Sequence, residues 1–206
     1  MFVRFLRTTG RDIIETAILA LLIFLAVRSS VQNFKVEGFS MDPSLGNGEY
    51  ILVDKVSYST MGLGPIEKVV PFLNSKDDGY LFAGPKRGDV IVFQSPISKD
   101  RDFIKRVIGL PGDTVEVRAG TVVLNGQPLN EDYIVHKGTY NWPVEANGPA
   151  TVPQDQYFVL GDNRDNSSDS HIWGFLPRAN VIGRAWVSYW PFSTIGLAPH
   201  HAPHGF

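Results

Sequence analysis

An apolar stretch near the amino terminus, Ile13 to Val27, most constrains how this chain can fold. Its uninterrupted part, Ala17 to Val27, is eleven residues long, whereas a bilayer core needs about 20 apolar residues. If Arg11 and Arg28 turn their side chains outwards, the helix between them is about 25 Å long and nearly spans a bilayer. The stretch therefore predicts one transmembrane helix over residues 12–30.

The charges that flank this stretch predict its orientation. Three arginines among residues 1–11 and the amino terminus precede it, whereas only Arg28 and Lys35 follow closely. Loops that carry more Lys and Arg stay in the cytoplasm. We therefore expect residues 1–11 in the cytoplasm and the chain after about residue 30 on the outer side.

A cleavable secretory signal would have the same charged start and apolar stretch. Cleavage needs small residues at positions −3 and −1, and here Arg28 interrupts the only suitable site. An uncleaved anchor is therefore the preferred interpretation. A buried core helix is a third one, although nothing later in the chain resembles a partner for it.

Composition favours a turn-rich, mostly β fold for the rest of the chain. The 20 glycines and 14 prolines among 206 residues exceed average usage, and apolar residues alternate with period two. The segments that this pattern predicts as short strands lie at Val36, Tyr50–Val53, Asp89–Phe93, Phe103–Leu110, Thr114–Val117, Thr121–Leu124, Tyr157–Leu160 and Val181–Val187. Asn125-Gly126 predicts a tight hairpin turn, because both residues tolerate positive φ.

Several classes of function are disfavoured by composition alone. The chain has no cysteine, which excludes disulfide frameworks, cysteine-ligated zinc and thiol nucleophiles. A net charge of −2 gives no broad electrostatic case for binding nucleic acid. Hydrophobic residues make up 43% of the chain, enough to exclude global disorder.

Two segments outside the predicted strands allow more than one interpretation. The apolar residues between Ser57 and Arg87 could rest on a bilayer or pack onto the sheet, and the sequence favours neither. We expect residues 196–206 to form a flexible tail. Its histidines, from His200 onward, could bind metal weakly, but no carboxylate or cysteine joins them, so no metal site is predicted.

Ser40 is a candidate nucleophile. It follows Gly38 and precedes Pro43, which predicts a strand that ends in a rigid turn with the hydroxyl exposed. The segment is not a nucleophile elbow, because the second glycine of that motif is absent. A serine needs an adjacent base to remove its proton, and taken alone Ser40 is more typical of an ordinary turn residue.

Lys105 is the candidate base. It lies within an apolar strand on the same predicted face as Phe103 and Val107, where burial disfavours the charged form. To accept a proton near neutrality, the pKa of its amine must fall from about 10.4 to about 7–8. The alternative is a lysine whose ammonium group reaches water.

A polar segment from Gly161 to Gly174 is the third candidate. Its spacing superficially resembles a calcium loop, but Ser170 stands where that loop requires glycine. Its hydroxyls could orient a neutral lysine, and a pair between Arg164 and an aspartate could hold its shape. A Ser-His-Asp triad would need His136 or His171, and neither lies in a segment with independent catalytic character.

These segments, in this order behind an N-terminal anchor, resemble bacterial type I signal peptidases (leader peptidases), a family of serine proteases with a Ser/Lys dyad. The resemblance covers the anchor and the chain from about Val36 to Trp190. The four motifs that carry it are Gly38-x-Ser40-Met41-x-Pro43, Arg87-Gly88-Asp89-Val90, Lys105 to Asp113, and Gly161 to Gly174.

The resemblance implies a role for each matching residue. Ser40 matches the nucleophile and Lys105 its general base. Ser167 matches the hydroxyl that orients the lysine, while Arg164 and Asp169 match a pair that supports the site. No cofactor or metal is implied.

The resemblance also implies a substrate site that selects small residues at positions −1 and −3, the Ala-x-Ala preference. The matching substrate-binding residues are Val36, Gly38, Met41, Leu45, Phe103 and Ile104. Family members with a hydroxyl two residues before the nucleophile use it to stabilise the oxyanion. This chain has Gly38 there, so the second oxyanion donor is open.

The implied fold is a signal-peptidase-like β fold of short, largely antiparallel strands behind one transmembrane helix. An extracytoplasmic catalytic domain would span residues 31–195, with a small inserted β subdomain at about 115–153. The implied location is the bacterial cytoplasmic membrane, crossed once. The expected partners are secreted preproteins with signal peptides and the phospholipid bilayer, with no nucleic acid.

Two other functions fit the same residues. One is a Ser/Lys peptidase dedicated to a single pilus or conjugation precursor. The other is a catalytically silent, membrane-anchored scaffold that binds exported chains.

Overall fold

The structure, a computed structural model, describes residues 2–58, 84–144 and 148–200, with the backbone alone for residues 2–10. Most of the apolar loop between Ser57 and Arg87 lies outside the described residues, so both interpretations of it stay predictions. The last two histidines, His201 and His204, also lie outside them.

The chain begins with a helix, α1, over Phe2–Ser30. Its part from Arg11 to Ser30 is long and apolar enough to cross a membrane, and none of it is buried inside the protein. Glu15, the acidic residue of the apolar stretch, pairs with Arg11 one turn earlier at 2.6 Å. In the last turn the hydroxyls of Ser29 and Ser30 donate to the Ala26 carbonyl. The predicted helix is present, and it begins before residue 12.

Twelve strands follow within the described residues, and they pair in two antiparallel sheets. Their bounds are β1 Val31–Lys35, β2 Tyr50–Asp54, β3 Val90–Gln94, β4 Asp102–Gly109, β5 Thr114–Arg118, β6 Thr121–Leu124, β7 Gln127–Pro128, β8 Ala150–Thr151, β9 Gln156–Leu160, β10 Leu176–Pro177, β11 Val181–Trp190 and β12 Gly196–Leu197. A second helix, α2, spans Ser170–Trp173. The mostly β, antiparallel fold class is confirmed.

The larger sheet has the strand order β1-β2-β11-β3-β4-β9-β10, with β12 on β11. Alternation works as predicted in β2, where Ile51 and Val53 are buried. β3 is buried along four of its five residues, because it lies in the middle of the sheet between β11 and β4. β1 ends just before Val36, so the predicted strand position there was one residue late.

The smaller sheet, in the order β7-β6-β5-β8, is formed by residues 114–151. Asn125 and Gly126 join β6 to β7 with φ of 51° and 80°, as the hairpin turn requires. Val115 and Leu124 of this sheet share one apolar cluster with Ile108 and Phe158 of the larger sheet. Burying each such side chain stabilises the fold by about 1.5–3 kcal/mol, and this cluster holds the two sheets together.

Residues 196–200 are packed rather than free, which corrects the flexible tail expected from residue 196 over this part; residues 201–206 lie outside the described residues. β12 pairs with β11, and Ala198 is buried in the core. The His200 ring accepts a hydrogen bond from the Val90 amide at 3.1 Å and contacts the Ala185 carbonyl through Nε2 at 2.8 Å. The small and turn-forming residues hid this packing, because two of its partners, Val90 and Arg106, lie 110 and 93 residues away in sequence.

Candidate active site

Ser40 and Lys105 meet at the end of β1. The Lys105 Nζ lies 2.7 Å from the Ser40 Oγ, although 65 residues separate them in sequence. Ser40 comes from the turn after β1, and Lys105 from the middle of β4. The structure thus brings the two candidate catalytic residues into hydrogen-bond contact.

The turn that carries Ser40 is fixed on both sides. Met41 is fully buried and Leu45 is nearly so, and the Leu45 amide donates to the Met41 carbonyl. Before the serine, Gly38 has a φ of +91°, a conformation that L side chains rarely adopt. Its amide donates to the Asn47 side chain at 2.9 Å. Ser40 itself therefore stays at the surface of a rigid loop.

Burial sets the chemistry of Lys105. The residue is only 4% exposed, so its ammonium group does not extend to water. Its Nζ donates to Ser40 and to the Ile104 carbonyl, and it lies 5.4 Å from the centre of the Phe103 ring. Desolvation lowers the pKa of the Lys105 amine to about 8, against the opposing negative charges of Asp169 and Asp162. That value lies close to the range that a base near neutrality needs.

Arg106 is also buried, next to Lys105 on β4. Its guanidinium forms a two-pronged contact with Asp162, at 2.8 and 2.6 Å, and donates to the Gly88 and Pro199 carbonyls. A fully buried charge needs such partners. Arg106 had no predicted role. A second cation in an apolar strand, next to Lys105, was the sequence signal that could have found it.

Ser167 lies beside the pair but does not bond to it. Gly161 packs so tightly between Ser167 and the Ser40 carbonyl that a Cβ there would collide with both. Within the described part of the chain the Ser167 hydroxyl is buried without a hydrogen-bond partner. The predicted contact between Ser167 and Lys105 is therefore not formed here.

The predicted pair between Arg164 and Asp169 is wrong. Arg164 instead donates to both carboxylate oxygens of Glu131, and its Nε donates to the Gly161 carbonyl at 3.0 Å. Glu131 lies after β7, beyond what the spacing of the loop could reveal. Both Arg164 and Asp169 nevertheless hold the backbone of Gly161, which contacts the site.

Asp169 pairs with His171, which lies in a segment without independent catalytic character in the sequence. The Asp169 carboxylate caps α2 by accepting from the His171 amide at 3.1 Å, and it contacts His171 Nδ1 at 2.7 Å. Its other oxygen accepts from the Gly161 amide at 2.9 Å. An aspartate two residues before a histidine at a helix start was the signal that could have found this contact.

An open cleft of about 630 Å³ leads to Ser40 and Lys105. Of the six predicted substrate-binding residues, Phe103 and Ile104 line it. The others are placed differently: Val36, Met41 and Leu45 are buried in the core with Ile104, and the exposed Gly38 does not line the cleft. These three apolar side chains point inward because the core needs them, so they act as support behind the cleft wall.

No site suited to a metal was found in the part of the chain that the structure describes. There, no three His, Asp or Glu side chains are close enough together to hold an ion. A buried amine bonded to a serine hydroxyl is instead typical of serine hydrolases that use lysine in place of histidine.

Comparison with known proteins agrees with that class. A family model described as signal peptidase, peptidase S26, matches residues 10–190. A signal peptidase I of Leptolyngbya laminosa is 41% identical over 89% of this chain and 81% of its own length. Signal peptidase IB of Staphylococcus aureus is 32% identical, over 88% of this chain and 89% of its own length.

A solved structure is also similar in sequence. The crystal structure of a signal peptidase I from Enterococcus faecalis is 42% identical and covers 50% of this chain and 97% of that chain, with a TM-score of 0.43. The chain belongs to the signal peptidase family, peptidase S26, and it is a serine endopeptidase of the signal peptidase I type.

Proposed function

We propose that this enzyme removes signal peptides from exported preproteins after small residues at positions −1 and −3. Ser40 is the nucleophile and Lys105 is its general base. The observation that carries this proposal is the 2.7 Å contact between the Ser40 hydroxyl and the amine of Lys105. Burial lowers the pKa of that amine to about 8, so a useful fraction is neutral at physiological pH.

The reaction follows from that geometry. Neutral Lys105 accepts the Ser40 proton while Oγ attacks the scissile carbonyl carbon, and the resulting ammonium returns the proton to the leaving amine. The signal peptide is then an ester on Ser40. Lys105 next takes a proton from water, whose oxygen attacks the ester carbon. The bond from that carbon to Ser40 Oγ then breaks, the ammonium returns the proton to Oγ, and the carboxylic acid leaves.

The oxyanion of the tetrahedral intermediate needs preorganised donors. The backbone amide of Ser40 supplies one of them. Gly38 has no side-chain donor, and its amide is already bonded to Asn47. The second donor must therefore be another residue of the cleft, either already in place or brought to the oxyanion when the substrate binds.

The substrate lies extended in the cleft and adds as a strand beside Val36 to Gly38 and Asp102 to Lys105. Side chains alternate along a strand, so residues −1 and −3 point towards the enzyme together. Phe103 and Ile104 line the wall that they meet. The buried side chains behind Ile104 make this wall unyielding, which favours small residues at both positions.

The helix α1 is the single-pass anchor, with residues 1–11 in the cytoplasm and the β domain on the outer face of the cytoplasmic membrane. Exposed apolar side chains on and after β11 support contact with the bilayer. They are Trp186, Trp190, Phe192, Ile195 and Leu197. Anchoring confines enzyme and preprotein to one membrane plane and so raises their effective concentration.

The proposal is tested with the purified full chain and a peptide that contains Ala-x-Ala, with the cut located by mass. We expect cleavage after the second alanine by the wild-type chain and none by Ser40→Ala. Lys105→Arg is the matched test of the base, because a guanidinium keeps its proton. Activity equal to wild type in either variant would remove that residue from the mechanism.

A further inference from the structure

His171 reaches the catalytic pair through one fully buried carboxylate. Its Nδ1 lies 2.7 Å from Asp169 Oδ1, and Asp169 has no exposed surface. Among the described residues, His171 is the only ionisable side chain hydrogen-bonded to Asp169. The imidazole is thus the one side chain of the described residues that is hydrogen-bonded to this carboxylate group, beside the amides of Gly161 and His171.

Asp169 acts on the catalytic pair by two routes. Its Oδ2 accepts from the Gly161 amide, and Gly161 is the backbone wall that packs against the Ser40 carbonyl and Ser167. Its negative charge is also the larger of the two charges that oppose the lowered pKa of Lys105. A change at His171 therefore reaches Ser40 by packing and Lys105 by electrostatics.

The surroundings of His171 hold it in place. The ring of Tyr140 stacks on the imidazole, with centroids 4.0 Å apart and planes 19° from parallel. The phenol of Tyr140 lies in the field of Asp169, Arg164, Glu131 and Asp165, and burial raises its pKa. Arg164 is bonded to Glu131, so those two charges compensate each other.

We propose that His171 is a positioning residue for the Ser40–Lys105 pair, acting through Asp169. The imidazole Nδ1 orients the carboxylate and leaves its charge in force at Lys105, whereas a permanent cation at the same position would cancel much of that charge. The basicity of Lys105 therefore depends on which side chain stands at position 171.

The inference rests on the proposed function and is tested by two substitutions in the full chain. His171→Arg places a permanent cation beside Asp169, whereas His171→Gln keeps a neutral donor. We expect His171→Arg to shift the rising limb of kcat/KM against pH downward by about half a unit or more. We expect the rising limb of His171→Gln to lie at the same pH as that of the wild type, with at most a lower plateau value of kcat/KM.

His136→Arg is the matched control, because His136 is exposed and makes the same charge change away from Asp169. A purely structural role for His171 would lower the plateau in both variants without moving the limb. If the limb of His171→Arg coincides with those of wild type and His136→Arg, the proposal is overturned.

A second measurement separates this inference from the proposed function. In the inactive Ser40→Ala background, NMR of the labelled Lys105 side chain reports its titration without any turnover. We expect a lower titration midpoint with arginine at position 171 than with histidine. Equal midpoints would refute the role of His171 and leave that of Ser40 intact, whereas retained activity in Ser40→Ala would refute the proposed function itself.

Discussion

Lys105 destabilises the fold that contains it. Its pKa is 10.5 in the unfolded chain and about 8 in the folded one, so between these values the unfolded state binds more protons. The free energy of unfolding therefore rises with pH across that window. Below pH 8 the buried amine is charged, and the full cost of burying that charge lowers the free energy of unfolding. The difference between a pKa of 10.5 and one of about 8 corresponds to about 3 kcal/mol.

Lys105→Met should therefore stabilise the protein at pH 7. Part of the gain is offset by the lost contacts with Ser40 and the Ile104 carbonyl, so we expect an increase of about 1–3 kcal/mol. The gain should shrink as the pH rises from 8 to 10.5. Urea unfolding of both proteins at pH 7 and pH 10 measures it, and a gain independent of pH would contradict the burial argument.

Gly161→Ala tests how closely the backbone is packed at the site. A Cβ at this position would collide with the Ser40 carbonyl and with Ser167, so the serine must move. Displacement of a reacting atom by about 1 Å costs roughly 100-fold in rate, and we expect kcat to fall by about that factor. Steady-state kinetics on the Ala-x-Ala peptide measures the change.

Gly196→Ala is the control for that variant, because a Cβ there meets no atom within 4 Å. It should retain the wild-type kcat. If Gly161→Ala also turns over at the wild-type rate, the backbone at Gly161 does not position Ser40 for catalysis.

At the scale of single elements, sequence patterns predicted the strands with apolar alternation best. β2 to β6, β9 and β11 fall where the pattern placed them, because each has a buried face. The residues of β1, which come before Val36, were not predicted as a strand. Gln32, Asn33 and Lys35 interrupt the alternation of apolar and polar side chains there. β12 is only two residues long and both are exposed, so local sequence carried no signal for it.

The candidate site, too, could be predicted from the sequence only in part. Ser40 and Lys105 could be proposed from local context, since one sits in a constrained turn and the other in an apolar strand. The partner of Arg164 could not, because Glu131 lies 33 residues away in the chain, after β7. Which apolar residues line the cleft, rather than the core behind it, depends on three-dimensional packing alone.

His200, which lies three residues after β12, makes the stability of the fold depend on pH. Burial and the nearby Arg184 lower the pKa of His200 to about 4, despite the opposing charge of Asp89. Its folded pKa lies below its unfolded value of 6.5, so the unfolded state binds more protons between these values. The stability is complete above pH 6.5 and falls as the pH drops to 4.

His200→Asn should flatten this dependence. Because the ring is partly exposed, solvent weakens the interactions that lower its pKa. We therefore expect the wild type to lose about 1–2 kcal/mol of its free energy of unfolding between pH 6.5 and 4. His136→Asn, at an exposed position, is the control and should keep the wild-type slope. Urea unfolding at pH 4, 5.5 and 7 gives the comparison, and equal slopes for all three proteins would contradict the role of His200.

At the scale of the whole molecule, α1 adds little to the packing of the β domain. None of the part from Arg11 to Ser30 is buried against the β domain, and the Lys55 amide bond to the Ser30 carbonyl joins its end to β2. The core clusters consist of residues after Ser30. The β domain therefore has what it needs to fold without the helix.

Deletion of residues 1–30 should leave an enzyme that cleaves short peptides in detergent. We expect kcat/KM for a peptide within about tenfold of the full chain, and a much larger loss for a preprotein embedded in vesicles. The two substrates are assayed side by side with both forms. Complete loss of peptide cleavage by a truncated protein that retains its β-sheet circular dichroism would show that the helix shapes the site.

The contact between Arg106 and the Pro199 carbonyl has a consequence for the order in which this enzyme folds. The cation next to Lys105 is completed by a backbone oxygen that lies 93 residues further along the chain. A nascent molecule therefore lacks this oxygen while β4 and most of the later strands are being made. Arg106 reaches its full set of partners only after β11 has been synthesised, so the buried charge beside Lys105 is compensated late in folding.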